Sequence, residues 1–203
     1  MTWYYITIFI AAVLLGIFQA PIWLIIIVLL GLSLISLSQQ LYPVLLETKT
    51  DKILNYLKKS KSPYYQFTYQ LFEGSAEGME DALKKIRAKD QKKIAEVLFL
   101  LKQEQYSEAE STLLLLNDND FKRYYSALVF LHVGNEKAYN ENKSKIKDPQ
   151  YRIMLQAAEL EHEEKLDEAI VIIDQQIPYL KGLKRLSFIQ YQKELLAKTA
   201  KNT

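Results

Sequence analysis

Cysteine is absent from this 203-residue chain, which excludes disulfides, thiolate metal sites and cysteine nucleophiles. There are two histidines, His132 and His162, so no zinc site of the usual spacing can be assembled. The six glycines form no phosphate-cradling loop. The single His/acid cluster is Glu161-His162-Glu163-Glu164. Consecutive residues on a helix point in different directions and cannot close around one metal. No alternating apolar–polar pattern persists beyond a few residues, which argues against a sheet. No catalytic motif emerges, so the expectation is a non-enzymatic protein without a cofactor or metal.

Charge is also missing from the N-terminal quarter. The first 46 residues carry no Asp, Glu, Lys or Arg, and the first formal charge is Glu47. Two apolar runs, residues 2–18 and 22–38, are joined by Gln19-Ala20-Pro21. Seventeen residues of helix span roughly 25 Å, the short end for a ~30 Å hydrocarbon core. Trp3, Tyr4, Tyr5, Trp23 and Tyr42 fall at the levels where interfacial aromatics belong. Residues 1–42 therefore read as a two-helix transmembrane hairpin. A cleaved leader is disfavoured, because no basic residue precedes the apolar run, and Ala20 is followed at once by Pro21 with bulky Phe18 at the −3 position. Residues 47–93 hold eleven basic and seven acidic residues, and residues 94–203 carry a net charge of −2. The basic excess just after the second run predicts a two-span protein of the cell membrane, with both termini and the helical domain on the cytoplasmic side.

Residues 43–62 read as a juxtamembrane amphipathic helix and linker, with Leu46, Ile53, Leu54 and Leu57 on one face. Residues 63–203 are helix-periodic and self-similar. Glu80-Asp81-Ala82, Ser107-Glu108-Ala109, Glu136-Lys137-Ala138 and Asp167-Glu168-Ala169 place an alanine at intervals of 27, 29 and 31 residues. Each alanine lies between two apolar helical stretches, the signature of stacked supersecondary units. Residues 183–198 carry Leu186, Ile189, Leu195 and Leu196 on one side, as a C-terminal helix capping an array would.

The turns Tyr106-Ser107-Glu108-Ala109 and Leu166-Asp167-Glu168-Ala169, together with Ala157, Asp148-Pro149 and Gly134, resemble the tetratricopeptide (TPR) repeat. The likeness covers roughly residues 64–180. It departs from the family pattern at Glu104 and Glu164, where a turn glycine is usual, and at the interrupted first unit, residues 73–78. The resemblance implies an all-α fold, a TPR-like α-solenoid of three to four helix-turn-helix units behind the transmembrane hairpin. It implies a groove for a protein or peptide partner lined by Tyr124, His132, Tyr151, Met154, Glu161 and His162.

A second surface is the basic run containing Lys84, Lys85, Arg87, Lys89, Lys92 and Lys93, which suits anionic lipid headgroups. It lacks the interleaved aromatics of a nucleic-acid site. The expected function is a membrane-anchored adaptor or scaffold that recruits a protein partner. The alternative is an accessory or regulatory subunit acting through its hairpin. Neither the partner nor the oligomeric state is legible.

Overall fold

The computed structural model describes Ile10 and residues 21–202, except for the side chains of Ser36, Leu37, Gln39, Gln40 and Asn202. All regular structure among the described residues is helical. The α-helices are α1 (Ile22–Leu45), α2 (Thr50–Lys59), α3 (Pro63–Glu73), α4 (Ala76–Lys85), α5 (Lys89–Lys102) and α6 (Tyr106–Leu114). They continue as α7 (Asp120–His132), α8 (Glu136–Lys145), α9 (Pro149–His162), α10 (Leu166–Gln176) and α11 (Gly182–Asn202). A single 3₁₀ turn, Ile177–Tyr179, precedes α11.

Helices α3 to α10 form four consecutive pairs, and the pairs recur every thirty residues. The second helix of each begins at Ala76, Tyr106, Glu136 and Leu166. Phe67, Val97, Ala127 and Ala157, also thirty apart, are fully buried in the four first helices. Met79, Ala109, Tyr139 and Ala169 hold the matching buried place in the second helices. The alanine intervals of 27, 29 and 31 residues are thereby corrected. Ala138 is only half-buried, and its neighbour Tyr139 occupies the repeating position.

The turns within the pairs explain the regularity. Glu104, Gly134 and Glu164 all adopt positive φ, between 57° and 73°. The following amides, of Gln105, Asn135 and Lys165, donate to the carbonyls of Leu100, Phe130 and Leu160 at 2.8–3.0 Å. This is the Schellman closure, in which a left-handed residue lets the chain reverse while satisfying a helix-end carbonyl. Glu104 and Glu164 therefore take the place of the missing glycine in a backbone that costs a non-glycine residue roughly 1–2 kcal/mol. The first pair closes differently: Gly74 is extended, and the Ser75 hydroxyl accepts from the Gly78 amide to cap α4. Gly74 and Ser75 thus form a short link between the paired helices, and the rest of residues 73–78 is helical.

Between pairs, Asn119 and Asp148 cap α7 and α9, and Pro149 occupies the first turn of α9. Asp120 ties α7 to the next junction, accepting from the amides of Lys147 (3.1 Å) and Asp148 (2.6 Å). Glu159 accepts from Tyr139 and Lys143, joining α8 to α9.

Helix α2 packs between α3 and α11, with Ile53 and Leu57 fully buried beside Leu186. It begins at Thr50, because the Glu47 carboxylate accepts from the amides of Thr48 (2.9 Å) and Lys49 (3.0 Å) and interrupts the chain there. Leu46, expected on its buried face, lies before this break and is 53% exposed.

The two-span membrane placement is overturned. Residues 2–18, apart from Ile10, lie outside the described residues, and among the described residues no helix is long and apolar enough to cross a membrane. The far end of α1 passes through Pro43 and docks on α11, where Val44 is 5% exposed. The cytoplasmic assignment of the helical domain rested on that hairpin and falls with it. Ile22, Trp23, Ile26, Ile27, Leu30, Leu34 and Ile35 are each more than half exposed.

Candidate functional site

The six residues expected to line a groove fall into two groups. Tyr124, Tyr151 and Met154 belong to the packing between the α7/α8 and α9/α10 pairs. Tyr124 is 4% exposed and stacks on Tyr151, with ring centroids 4.9 Å apart. Tyr125 meets Tyr124 edge-on at 4.8 Å. Burial holds the Tyr124 phenol far above its ordinary range. Burial, with the nearby Asp148 charge, raises Tyr151 to about 12. These phenols are uncharged at physiological pH, and Tyr124 presents almost no surface to a partner.

His132, Glu161 and His162 form the second group, at the C-terminal ends of α7 and α9. The two imidazoles lie 6.4 Å apart, and both residues are exposed. His132 is stacked on Tyr106 of α6 at 4.8 Å, and its Nδ1 sits 2.8 Å from the Leu128 carbonyl. Glu161 accepts from the Tyr191 hydroxyl at 2.6 Å and from Lys198, both on α11. Lys102, thirty residues before His132, ends α5 and pairs with Glu194 of α11 at 2.6 Å. Glu73 ends α3 and pairs with Lys193 at 3.6 Å. The last turns of α3, α5 and α9 thus converge on one stretch of α11.

Sequence reasoning missed the contribution of α11: Tyr191, Lys193, Glu194 and Lys198. Lys102 and Glu194 are 92 residues apart, and no local pattern links them. The one usable signal was the thirty-residue register of Lys102, His132 and His162, which puts their side chains at equivalent helix ends.

The basic run is divided among three environments. Lys84 and Lys85 end α4, where the helix dipole favours cations, and Lys84 also pairs with Glu80 at 2.8 Å. Arg87 is exposed beside Ile86, which is buried at 4% exposure. Lys89 and Lys92 are exposed in the first turn of α5. Lys93 reaches across to donate to the Leu115 carbonyl at 3.0 Å, and Lys122 donates to the Leu116 carbonyl at 3.0 Å. Together they close the C-terminal end of α6 beneath the exposed side chains of Leu114 and Leu115. Of the six basic residues, Lys93 is tied to another helix and Lys84 to a neighbouring acid on its own helix, and the other four are exposed.

Among the described residues no group of three or more His, Cys, Asp or Glu is placed to hold a metal ion. A shallow cleft between α2, α3 and α4 is lined by Lys58, Gln66, Tyr69, Gln70, Asp81 and Lys85, a mixture of charges and amides without convergence on a point. The arrangement at the helix ends offers aromatic stacking, imidazole and paired charges on a solvent-facing surface, and these groups suit recognition. No family model, curated protein or solved structure matches the chain.

Proposed function

We propose that this chain is a TPR-like helical-repeat interaction module that holds a protein or peptide partner. The observation that carries the reading is the thirty-residue recurrence of four helix pairs with equivalent buried positions, from Phe67 to Ala157 and from Met79 to Ala169. Stacking of such pairs creates an extended surface from equivalent helix faces, and that surface is what repeat arrays use to bind. The repeat length differs from the 34 residues of the TPR unit. The shared element is the packing of paired helices, with a small residue at several of the close crossings.

The expected surface is the row of helix ends bearing Lys102, His132 and His162, since these side chains are outward and Tyr124 and Tyr151 are packed inward. No cofactor is needed for this role. Crosslinking and affinity capture with the full chain, beside His132→Ala/His162→Ala, test it. A partner crosslinked to α7 or α9 and lost in the double variant is the expected result. A partner held equally well by both proteins would remove this surface from the proposal.

A further inference from the structure

We infer that the last turns of α11 are a built-in occupant of the recognition surface, and that the partner this surface fits is an amphipathic helix that takes their place. The inference rests on the interaction reading above and names its ligand class.

Helix α11 is held unequally along its length. Its first half is anchored by Leu186 and Phe188, each 1% exposed, against α2 and the α9/α10 core. Beyond Tyr191, Leu195 is the one fully buried side chain among the described residues, and Leu196 is 49% exposed. The ion pairs of this stretch are solvent-facing and reach three different array helices, Lys193 to Glu73, Glu194 to Lys102 and Lys198 to Glu161, and the Gln192 amide donates to Asp174 of α10 at 3.0 Å. Exposed pairs of this kind hold weakly and exchange readily for equivalent charges on another molecule. Segments with few buried contacts and exposed bonds are the ones that open locally while the rest stays folded.

The same ties describe the replacement. A helix with one large apolar side chain at the place of Leu195, an acid facing Lys102 and a base facing Glu161 reproduces the main interactions this half of α11 makes with the helix ends.

The test uses the full chain, with a neutral detergent covering the exposed face of α1, and a fluorescein-labelled peptide of residues 186–202 as the probe helix. Hydrogen exchange is followed along α11, and peptide binding by fluorescence anisotropy, in wild type, Glu194→Lys and Lys102→Glu/Glu194→Lys. Glu194→Lys is expected to speed exchange of residues 195–201 by about fivefold, with α5 and α9 unchanged, and to strengthen peptide binding by a similar factor. The charge swap should return exchange to the wild-type rate, which loss of a merely structural residue would not do, and should hold binding of this peptide, whose Glu194 then meets a like charge in place of Lys102, at or below the wild-type level. Unchanged exchange in Glu194→Lys, or faster exchange with no gain in peptide binding, would overturn the inference. A partner crosslinked to His132 or His162 alongside such a result would leave the interaction reading standing without this occupant.

Discussion

The amide of Gly182 donates to the carbonyl of Glu47 at 2.7 Å and so locks the start of α11 onto the end of α1. Gly182 has φ +57°, and a Cβ there would stand 2.0 Å from the Val44 carbonyl oxygen. Both the left-handed backbone and the close approach require glycine. Gly182→Ala is therefore expected to destabilise the docking by about 2 kcal/mol or more, since strain and steric overlap add. Hydrogen exchange at residues 44–47 should rise in this variant before that of α9. Equal protection in both proteins would show that the contact at Val44 is looser than its geometry.

Glu104 and Glu164 carry a cost that Gly134 does not. Replacing either glutamate by glycine should stabilise the chain by about 0.5–1 kcal/mol, because relief of the left-handed strain outweighs the added freedom of the unfolded chain. Gly134→Ala should lose a similar amount. A Cβ on Gly134 would meet nothing within 4 Å, which leaves backbone strain as the sole cause. Denaturant midpoints at constant m-value measure all three. A neutral Gly134→Ala would mean that the turn relaxes out of the Schellman geometry.

The all-helical class and the paired-helix organisation were legible in the sequence, because apolar periodicity and turn residues act locally. The repeat length was not. It was sought in a recurring alanine, whereas the packing repeats a buried place that Met79, Ala109, Tyr139 and Ala169 fill in turn. A side chain of any size can occupy such a place when its neighbours adjust, so letter matching drifts by a residue or two. The candidate groove was legible in part. The helix-end register identified His132 and His162, but nothing local distinguished the inward Tyr124 from an outward aromatic. The reach of α11 to Glu73 and Lys102 depends on how the pairs stack, which no window of sequence encodes. The apolar N-terminal run read as a membrane hairpin on composition alone, whereas among the described residues no helix is long and apolar enough to cross a membrane.

The changing size at the repeating buried place gives a directional test. Phe67, Val97, Ala127 and Ala157 are all fully buried, so the space at this position narrows from the first pair to the last. Phe67→Ala should leave a cavity costing about 3–5 kcal/mol. Ala157→Leu should overpack the α9/α10 crossing and cost about 1–3 kcal/mol. Thermal unfolding of the two variants distinguishes this from a loosely packed bundle, in which Ala157→Leu would be tolerated or would stabilise.

Asp148 supplies the pH dependence. It caps α9 by accepting from the Gln150 amide at 2.8 Å, and it pairs with Lys184 of α11 at 3.2 Å. Burial is the largest single influence and pushes its carboxyl up. The Gln150 bond and the Lys184 charge together outweigh that and hold it below the ordinary value. A carboxyl depressed by folding contributes stability above its unfolded pKa, near 3.9, and loses it as pH falls through the lower folded value. Asp148→Ala should cost about 1 kcal/mol at neutral pH through loss of the cap. Asp148→Asn keeps an acceptor for Gln150 and loses only the charge, so it should cost less. The gap between wild type and Asp148→Asn should be constant from about pH 5 to 8, should start to narrow at about pH 4 and should close only once the pH is below the depressed folded pKa. Urea unfolding across that range measures it. A gap that does not narrow at all on acidification would place the role of Asp148 in packing and remove its charge from the junction between α9 and α11.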